Sequence, residues 1–260
     1  MSSPAAARVA YRDLVLYRRI WRENFVGAFV QPFLYLLGVG VGIGSLVDQN
    51  AGAEPILDGV SYFSFYASAL LATTAMFNAS QEALWPTMDG FMNNNAYRAM
   101  VATPISPGDV ASGLAIHFAG RTAVGATGVA LVLSLFADTR SLGLLLAVPV
   151  AVLCGLAFAM PIAAWTASRT SERSFPAILR FAILPMFLFG GAFFPIDQLP
   201  AALQVIAWLT PLFHAIELCR GAILGGLNAG AALLHLGVLN IFAVGGWGLC
   251  QWTFRRRLWP

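Results

Sequence analysis

The chain has 260 residues, of which 58% are hydrophobic and only 10% are charged, and its mean hydropathy is +0.74. Soluble globular domains carry about 25% charged residues, so this composition excludes soluble, disordered and fibrous proteins and indicates an integral membrane protein. All 15 basic residues are arginine. The lack of lysine excludes a Walker A phosphate loop and lysine-based catalysis within this chain.

The first predicted element is a basic amphipathic helix at about residues 7–22. A turn of 3.6 residues places Arg8, Arg12, Arg19 and Arg22 on one face, and Val9, Leu14, Tyr17, Ile20 and Trp21 on the other. Asp13 is the exception on the apolar face. This pattern is typical of a helix that lies on an anionic membrane surface, although a cytosolic helix packed on protein has the same pattern.

Six apolar runs follow, each near the roughly 20 residues that a bilayer core requires. They lie at about 26–47, 60–81, 110–136, 142–167, 176–194 and 231–252. The sequence therefore predicts an all-α membrane protein. Its expected parts are a cytoplasmic interface helix at 1–25, a six-span domain at 26–252 and a basic cytoplasmic tail at 253–260.

The distribution of arginine predicts the orientation. Basic residues are concentrated before span one, in the links after spans two and four, and in the tail, which ends Arg255-Arg256-Arg257. The link after span one carries only acidic charge, and the link after span three has one Asp and one Arg. The positive-inside rule then places both termini in the cytoplasm, in agreement with an even number of spans.

Two links are too long to be simple turns. The inner link, about 82–109, contains a short predicted helix at Ala96–Ala102 that Pro104 stops. The outer link, about 195–230, contains two short apolar helical stretches separated by Thr210-Pro211. Because each stretch is too short to cross a bilayer, we expect a re-entrant or interfacial helical hairpin between spans five and six.

Polar side chains inside the apolar runs are the remaining candidates for function. His117 and Arg121 are four residues apart and share one face of span three. They could line a pathway or hold a neighbouring helix, or Arg121 could snorkel to the interface. In the outer link, Glu217 and Arg220 are spaced as an ion pair next to His214. One His and one carboxylate are too few for a zinc site, and no metal or catalytic motif is predicted.

The outer segment carries a specific resemblance. It reads PMFLFGGAFFPIDQLP from Pro185 to Pro200 and TPLFHAIELCR from Thr210 to Arg220. This resembles the permeases of type-two ABC exporters, and most closely those that export nodulation lipo-oligosaccharides or drugs such as daunorubicin. The inner link, read from Tyr97 to Val110, is similar to the family's segment after span two. One departure is Leu114, where the family often has an acidic residue that could serve Arg121.

The resemblance implies the permease subunit of an ATP-driven exporter that moves an amphiphilic, lipid-linked or drug-like substrate across a bacterial inner membrane. It implies no cofactor on this chain, because ATP and Mg²⁺ bind to separate P-loop ATPase chains, two per transporter, beside a second permease copy that is identical or homologous. The inner link would dock into the ATPase, and the outer hairpin would close a route lined by spans one, two and five. The implied docking residues are Asn93, Tyr97, Arg98, Thr103 and Pro104, and the implied gate residues are Phe193, Phe194, Pro195, Pro200, Pro211, His214, Glu217 and Arg220.

Two other functions are weighed against this one. An intramembrane enzyme acting on a lipid or lipid-linked sugar would need a catalytic pair, for which His117/Arg121 and His214/Glu217 are the candidates. A proton-coupled carrier would need an acidic residue in the middle of a span, and every Asp and Glu lies in or near a link or in the outer hairpin. The sequence favours an export permease and leaves open its substrate and the identity of its partner permease.

Overall fold

The computed structural model describes residues 4–17, 30, 32–49, 57, 59–93 and 95–259. The regular elements that these residues form are all helical, and two of the helical runs contain π-helical turns, at Leu36–Ile43 and Leu179–Ile183. The helices, in chain order, are α1 (Pro4–Tyr17), α2 (Pro32–Val47), α3 (Tyr62–Met92), α4 (Ala96–Val101), α5 (Pro107–Ser134), α6 (Leu144–Ala167), α7 (Phe175–Ile178), α8 (Leu184–Phe189), α9 (Ala201–Leu209), α10 (Pro211–Leu224) and α11 (Ala229–Leu258).

The all-helical membrane class is confirmed, whereas the count of six spans stays a prediction. Within the described residues, α5, α6 and α11 are each long and apolar enough to cross a bilayer. The pair α9–α10 makes a fourth if its two helices, which meet at 83°, are one broken span. Predicted span one lies partly outside the described residues. Predicted span five is a run of 15 residues, α7 to α8, interrupted by its π-helical turn.

Helix α6 lies at the centre of the bundle and packs against α3, α5, α10 and α11. Small residues make this possible because they let neighbouring backbones approach closely. A Cβ at Gly155 of α6 would lie 2.6 Å from the Thr122 hydroxyl of α5, and a Cβ at Gly246 of α11 would lie 2.4 Å from the Pro161 ring of α6. These close approaches let the central helices lie near one another, and buried large side chains such as Leu71, Met76 and Phe158 fill the space between them.

The N-terminal helix packs against α5. Ala6 and Val9 of α1 are buried, and Val9 fills the space in front of Gly113, where a Cβ would approach it to 2.5 Å. Asp13 is buried beside them, on the packed face, as its place on the sequence wheel predicts. Leu14 is half exposed. The predicted helix residues Ile20, Trp21, Arg19 and Arg22 lie outside the described residues.

The alternating glycines of α2 divide into two kinds. Gly40 and Gly44 face α3, where a Cβ at Gly40 would approach the Phe63 ring to 2.9 Å. Gly38 has open space around it, and a Cβ at Gly42 would make only an ordinary contact within its own helix. Gly40 and Gly44 are therefore the glycines that let α2 lie close to α3.

Helix α3 is longer than the apolar run that predicted it. The run ends near residue 81, but the helix continues to Met92, where Asn93 Nδ2 donates to Asp89 Oδ1 at 2.8 Å. The helix continues through polar residues beyond the apolar run, so the inner link is shorter than predicted. We call the end of the bundle that carries α4 the link end, and the end that carries α9 the hairpin end.

Candidate functional site

The short helix α4 at the link end is held by aromatic packing. Tyr97 is 3% exposed and packs edge-on against Phe91 of α3, with ring centroids 4.8 Å apart, and against Phe254 of α11. A Cβ at Gly90 would lie 2.4 Å from the Tyr97 ring, so only glycine lets α4 lie this close to α3. The predicted helix over Ala96–Ala102 is confirmed to within one residue.

Local signals fix both ends of α4. Asn95 precedes it with φ of 49°, a left-handed conformation that asparagine tolerates. After it, the Thr103 hydroxyl donates to the Met100 carbonyl at 2.6 Å, and Pro104 prevents the helix from continuing. Arg98, Thr103 and Pro104 are exposed. The predicted docking residues thus divide into a buried anchor, Tyr97, and an exposed surface.

The C-terminal arginine cluster closes the same end of the bundle. Arg257 lies over the Phe91 ring at 4.0 Å and donates to the carbonyls of Thr166 and Ala167 at the end of α6. A guanidinium at a helix C-terminus satisfies carbonyls that have no partner within the helix. The C-terminal ends of α3, α6 and α11 are therefore tied together next to α4.

His117 and Arg121 share a carboxylate that they take from another helix. His117 Nε2 lies 3.2 Å from Glu82 Oε1, and Arg121 Nη2 donates to Glu82 Oε2 at 3.1 Å. The three side chains are between 14% and 26% exposed. Each carboxylate oxygen thus has its own partner, and the pair on α5 is fastened to α3.

A proline sets the backbone around this carboxylate. Pro86 lies inside α3 and has no N–H to donate to the Glu82 carbonyl one turn earlier. The Thr87 hydroxyl approaches that carbonyl instead, at 3.4 Å. Arg121 thus has an acidic partner in Glu82, although position 114, where the family often has an acidic residue, is leucine. The sequence analysis placed Glu82 in the inner link. Spacing along a single helix could not have shown that Glu82 contacts α5.

At the hairpin end, Arg220 joins α10 to two other parts of the chain. It donates to Glu217 Oε1 at 2.7 Å, as the spacing predicts, and to the Gly191 carbonyl at 2.8 Å. Its guanidinium also lies over the Phe65 ring of α3 at 3.8 Å. Gly191 has a φ of 86°, which glycine adopts without strain. One side chain therefore ties the segment after α8 to both α10 and α3.

His214 has a partner that the sequence reading did not anticipate. Its Nδ1 lies 2.7 Å from Nδ1 of His235 on α11, and its Nε2 lies 2.8 Å from the Trp208 carbonyl. Since a carbonyl only accepts, Nε2 of His214 carries a hydrogen, and in the neutral pair His235 donates to Nδ1 of His214. The alternative enzyme function offered Glu217 as a catalytic partner for His214, whereas the ring nitrogens of His214 contact His235 and the Trp208 carbonyl.

The other predicted gate residues shape the turns of this region. The Phe193 ring stacks on Tyr66 of α3 at 5.5 Å. Pro200 precedes α9, and Pro211 is buried as the first residue of α10. Phe194 and Pro195 are partly buried between α8 and α9. The prediction of two short helices broken at Thr210-Pro211 is confirmed, and their 83° angle fits either a broken span or a re-entrant loop.

A narrow crevice lies between α2, α3 and α8. Its walls are mainly aromatic, and α3 adds hydroxyl and amide side chains to them. Aromatic and neutral polar groups thus lie side by side, but the free space between them is only about 20 Å³, enough for one water molecule. The residues of the crevice that carry this character are Tyr35, Tyr66, Thr74, Phe77, Asn78 and Phe187.

Comparison with known proteins shows the family of the chain. The family model described as ABC-2 type transporter matches residues 7–224. Nodulation protein J of Rhizobium leguminosarum bv. viciae is 34% identical over 250 residues, which cover 92% of this chain and 93% of the relative. The same-named proteins of Rhizobium meliloti and Rhizobium leguminosarum bv. trifolii are each 32% identical, and the alignments cover 96% and 92% of this chain and 92% of each relative.

Proposed function

This chain belongs to the ABC-2 type transporter family and is a membrane transport subunit rather than an enzyme, and from that premise we propose that it forms half of the membrane domain of an ATP-driven exporter. Two permease copies and two P-loop ATPase chains would make the transporter. ATP and Mg²⁺ would bind to the ATPases, since this chain has no lysine with which to build a Walker A loop. The observation that carries the proposal is the family match over residues 7–224, which includes both the α4 link and the α9–α10 pair.

We infer that α4 and the residues after it receive the ATPase. Tyr97 packs against Phe91 and Phe254, so a push on α4 is passed directly to α3 and α11. Arg98 is exposed and offers a charge-assisted hydrogen bond to a carboxylate or a carbonyl on the partner. The buried Tyr97 would hold α4 rigidly on the bundle while the exposed Arg98 contacts the ATPase, so that movement of the ATPase is transmitted to the membrane helices.

The arrangement of charge supports an orientation with both termini in the cytoplasm. The arginines of the C-terminal cluster, Arg255 to Arg257, lie at the link end, as does Arg98. Arg169, just after α6, is at the same end. The positive-inside rule would place this end in the cytoplasm of a bacterial inner membrane, with the hairpin end outside and six spans between.

The proposed cargo is an amphiphile such as a lipid-linked oligosaccharide. The crevice between α2, α3 and α8 has only about 20 Å³ of free space, so the helices around it would have to separate to admit such a cargo. In an opened crevice, Tyr35, Phe77 and Phe187 would offer aromatic surface to sugar rings, and Thr74 and Asn78 would offer hydrogen bonds to hydroxyl groups. Spans one, two and five would line the route between the two permease copies. This cargo class rests on the resemblance of the outer segment to permeases that export nodulation lipo-oligosaccharides, and the relatives carry the name Nodulation protein J.

At the outer end of the route, the α9–α10 pair would act as the gate. Arg220 connects α10 to the Gly191 carbonyl and to the Phe65 ring, so α10 cannot move without changing contacts on both sides of the crevice. In an outward-facing state, Arg220, the Gly191 carbonyl and the Phe65 ring would need different partners. ATP binding can shift the protein between two states only if its interaction free energy differs between them.

A pull-down tests the assignment. The chain, tagged, is co-expressed with its candidate ATPase and purified in a mild detergent, and the ATPase retained per permease is measured. We expect a one-to-one ratio for the natural chain and clear loss of ATPase for Arg98→Glu. Arg140→Glu, which changes an exposed arginine between α5 and α6, is the matched control and is expected to retain the ATPase. Equal retention by both variants would show that α4 is not the docking element.

A further inference from the structure

Two buried imidazole rings connect three helices at the hairpin end. His214 of α10 is 1% exposed, and His235 of α11 is 6% exposed. Their Nδ1 atoms lie 2.7 Å apart, and Nε2 of His214 donates to the Trp208 carbonyl of α9 at 2.8 Å. This histidine pair therefore joins α11 to both helices of the α9–α10 pair.

The geometry limits how many protons the histidine pair can hold without losing its contact. Only one hydrogen fits between the two Nδ1 atoms, because a hydrogen bond has one donor and one acceptor. One added proton charges one ring, and the contact persists as a charge-assisted hydrogen bond from that ring to the bare Nδ1 of the other. A second added proton puts a hydrogen on both Nδ1 atoms. Two donors and two positive charges then face each other, so the contact breaks.

Few other charges act on the histidine pair. Among the described residues, the charged side chain that interacts with His214 is Glu217, whose carboxylate already accepts from Arg220 at 2.7 Å. The titratable group that interacts with His235 is His214 itself. Helices α3, α4, α5 and α6 also pack on α10 or α11, but their described residues bring no charged side chain into contact with either ring. Two further aromatic rings have centroids between 5.3 and 6.2 Å from those of the imidazoles, Trp208 and Phe213.

The histidine pair lies near one surface of the bundle. His235 comes seven residues after Asn228, the residue that caps the start of α11, so it is about 10 Å from the hairpin end of a helix of 30 residues. Trp208, whose carbonyl accepts from His214, is 47% exposed. A proton thus has a short path to the histidine pair from the hairpin end.

We propose that the histidine pair is a pH-sensitive contact. With no added proton or with one, it holds α9 and the start of α10 against α11, and uptake of a second proton moves them apart. This proposal rests on the contacts of the two rings and does not depend on the proposed function. If the hairpin end faces outside, an acidic exterior would loosen the α9–α10 pair.

Spin labels can report this separation. The three cysteines of the chain are buried, whereas Val205 of α9 and Leu233 of α11 are 61% and 71% exposed. Val205→Cys and Leu233→Cys therefore give two sites that can be labelled selectively. In nanodiscs, pulsed double electron–electron resonance should show one population of distances at pH 7.5 and a second, longer one at pH 4.5. These two pH values bracket the ordinary histidine pKa of about 6.5.

His235→Asn, made in the labelled chain, separates the contact from its titration. An asparagine amide can donate to the bare Nδ1 of His214 or accept from the protonated one, and it binds no proton itself. This variant should therefore keep the short distance at both pH values. His117→Asn is the matched control, because it removes the third histidine of the chain, at the link end, and should respond to pH like the labelled chain.

Nitrogen-15 NMR of histidine-labelled protein reads the protonation of the rings directly. At pH 7.5, His214 should carry its hydrogen on Nε2, and at pH 4.5 both rings of the histidine pair should be charged. Equal distances at the two pH values would overturn the proposal, and so would a pH response that His235→Asn keeps or that His117→Asn loses. A longer distance at pH 4.5 while either ring stays neutral would also overturn it. Melting temperatures measured in the same detergent confirm that each variant is folded.

Discussion

Replacing Glu82 by glutamine removes the carboxylate charge that His117 and Arg121 share. The carboxylate accepts from Arg121 at 3.1 Å and lies 3.2 Å from His117 Nε2, and the three side chains are at most 26% exposed. Breaking a fully buried ion pair by removing one partner costs about 3–5 kcal/mol. Partial exposure lets water reach the stranded arginine, so we expect about 2 kcal/mol, which corresponds to a fall of about 4–8 °C in the melting temperature.

The assay is thermal unfolding of the purified protein in detergent, followed by a double-mutant cycle. Glu172→Gln is the control, since Glu172 is exposed between α6 and α7 and its loss should change stability by less than about 0.5 kcal/mol. Arg121→Met added to Glu82→Gln should cost less than the sum of the two single changes, with a coupling of about 1 kcal/mol or more. A Glu82→Gln variant as stable as Glu172→Gln, or a purely additive double variant, would refute the reasoning that the carboxylate fastens α5 to α3.

Three further changes test other contacts. Gly246→Ala should lower stability by about 1–3 kcal/mol in a thermal melt, because the added Cβ would meet the Pro161 ring at 2.4 Å. Gly248→Ala is the control and should cost no stability, because a Cβ at Gly248 meets open space. Equal losses in the two variants would contradict this packing. Arg220→Lys should abolish export while leaving the chain in the membrane, because a lysine cannot contact the Glu217 carboxylate, the Gly191 carbonyl and the Phe65 ring together. Full transport by this variant would contradict the proposed role of Arg220. Burial raises the pKa of Asp13, so its ionised form disfavours the fold. Asp13→Asn should therefore raise the melting temperature at pH 7.5, and the gain should vanish below the ordinary pKa of about 3.9, where Asp13 is protonated in both states.

Local spacing predicted those features that depend on neighbours along one segment. The short helix at the link end follows from its flanking residues, ending before Pro104. The break between the two outer helices follows from Thr210-Pro211, and the Glu217–Arg220 contact follows from their separation by three residues. Each of these signals acts within one turn of helix, so it is visible in the sequence alone.

Contacts between helices could not be predicted in the same way. Glu82 and His117 are 35 residues apart, and His214 and His235 are 21 residues apart. Such pairs depend on which helices are adjacent and on their rotation, neither of which a single sequence specifies. The end of α3 at Met92 was missed for another reason, since an apolar run marks hydrophobic surroundings and a helix can continue through the polar residues that follow it.

The most direct test of the central claim is ATP-dependent transport by the reconstituted protein. The chain and its ATPase are placed together in liposomes with a fluorescent acylated oligosaccharide, and movement across the bilayer is followed with a quencher that cannot cross it. We predict movement that needs ATP, this chain and an ATPase with an intact Walker A lysine. Movement at the same rate without ATP or without the ATPase, or no movement with both chains in the bilayer, would contradict the account.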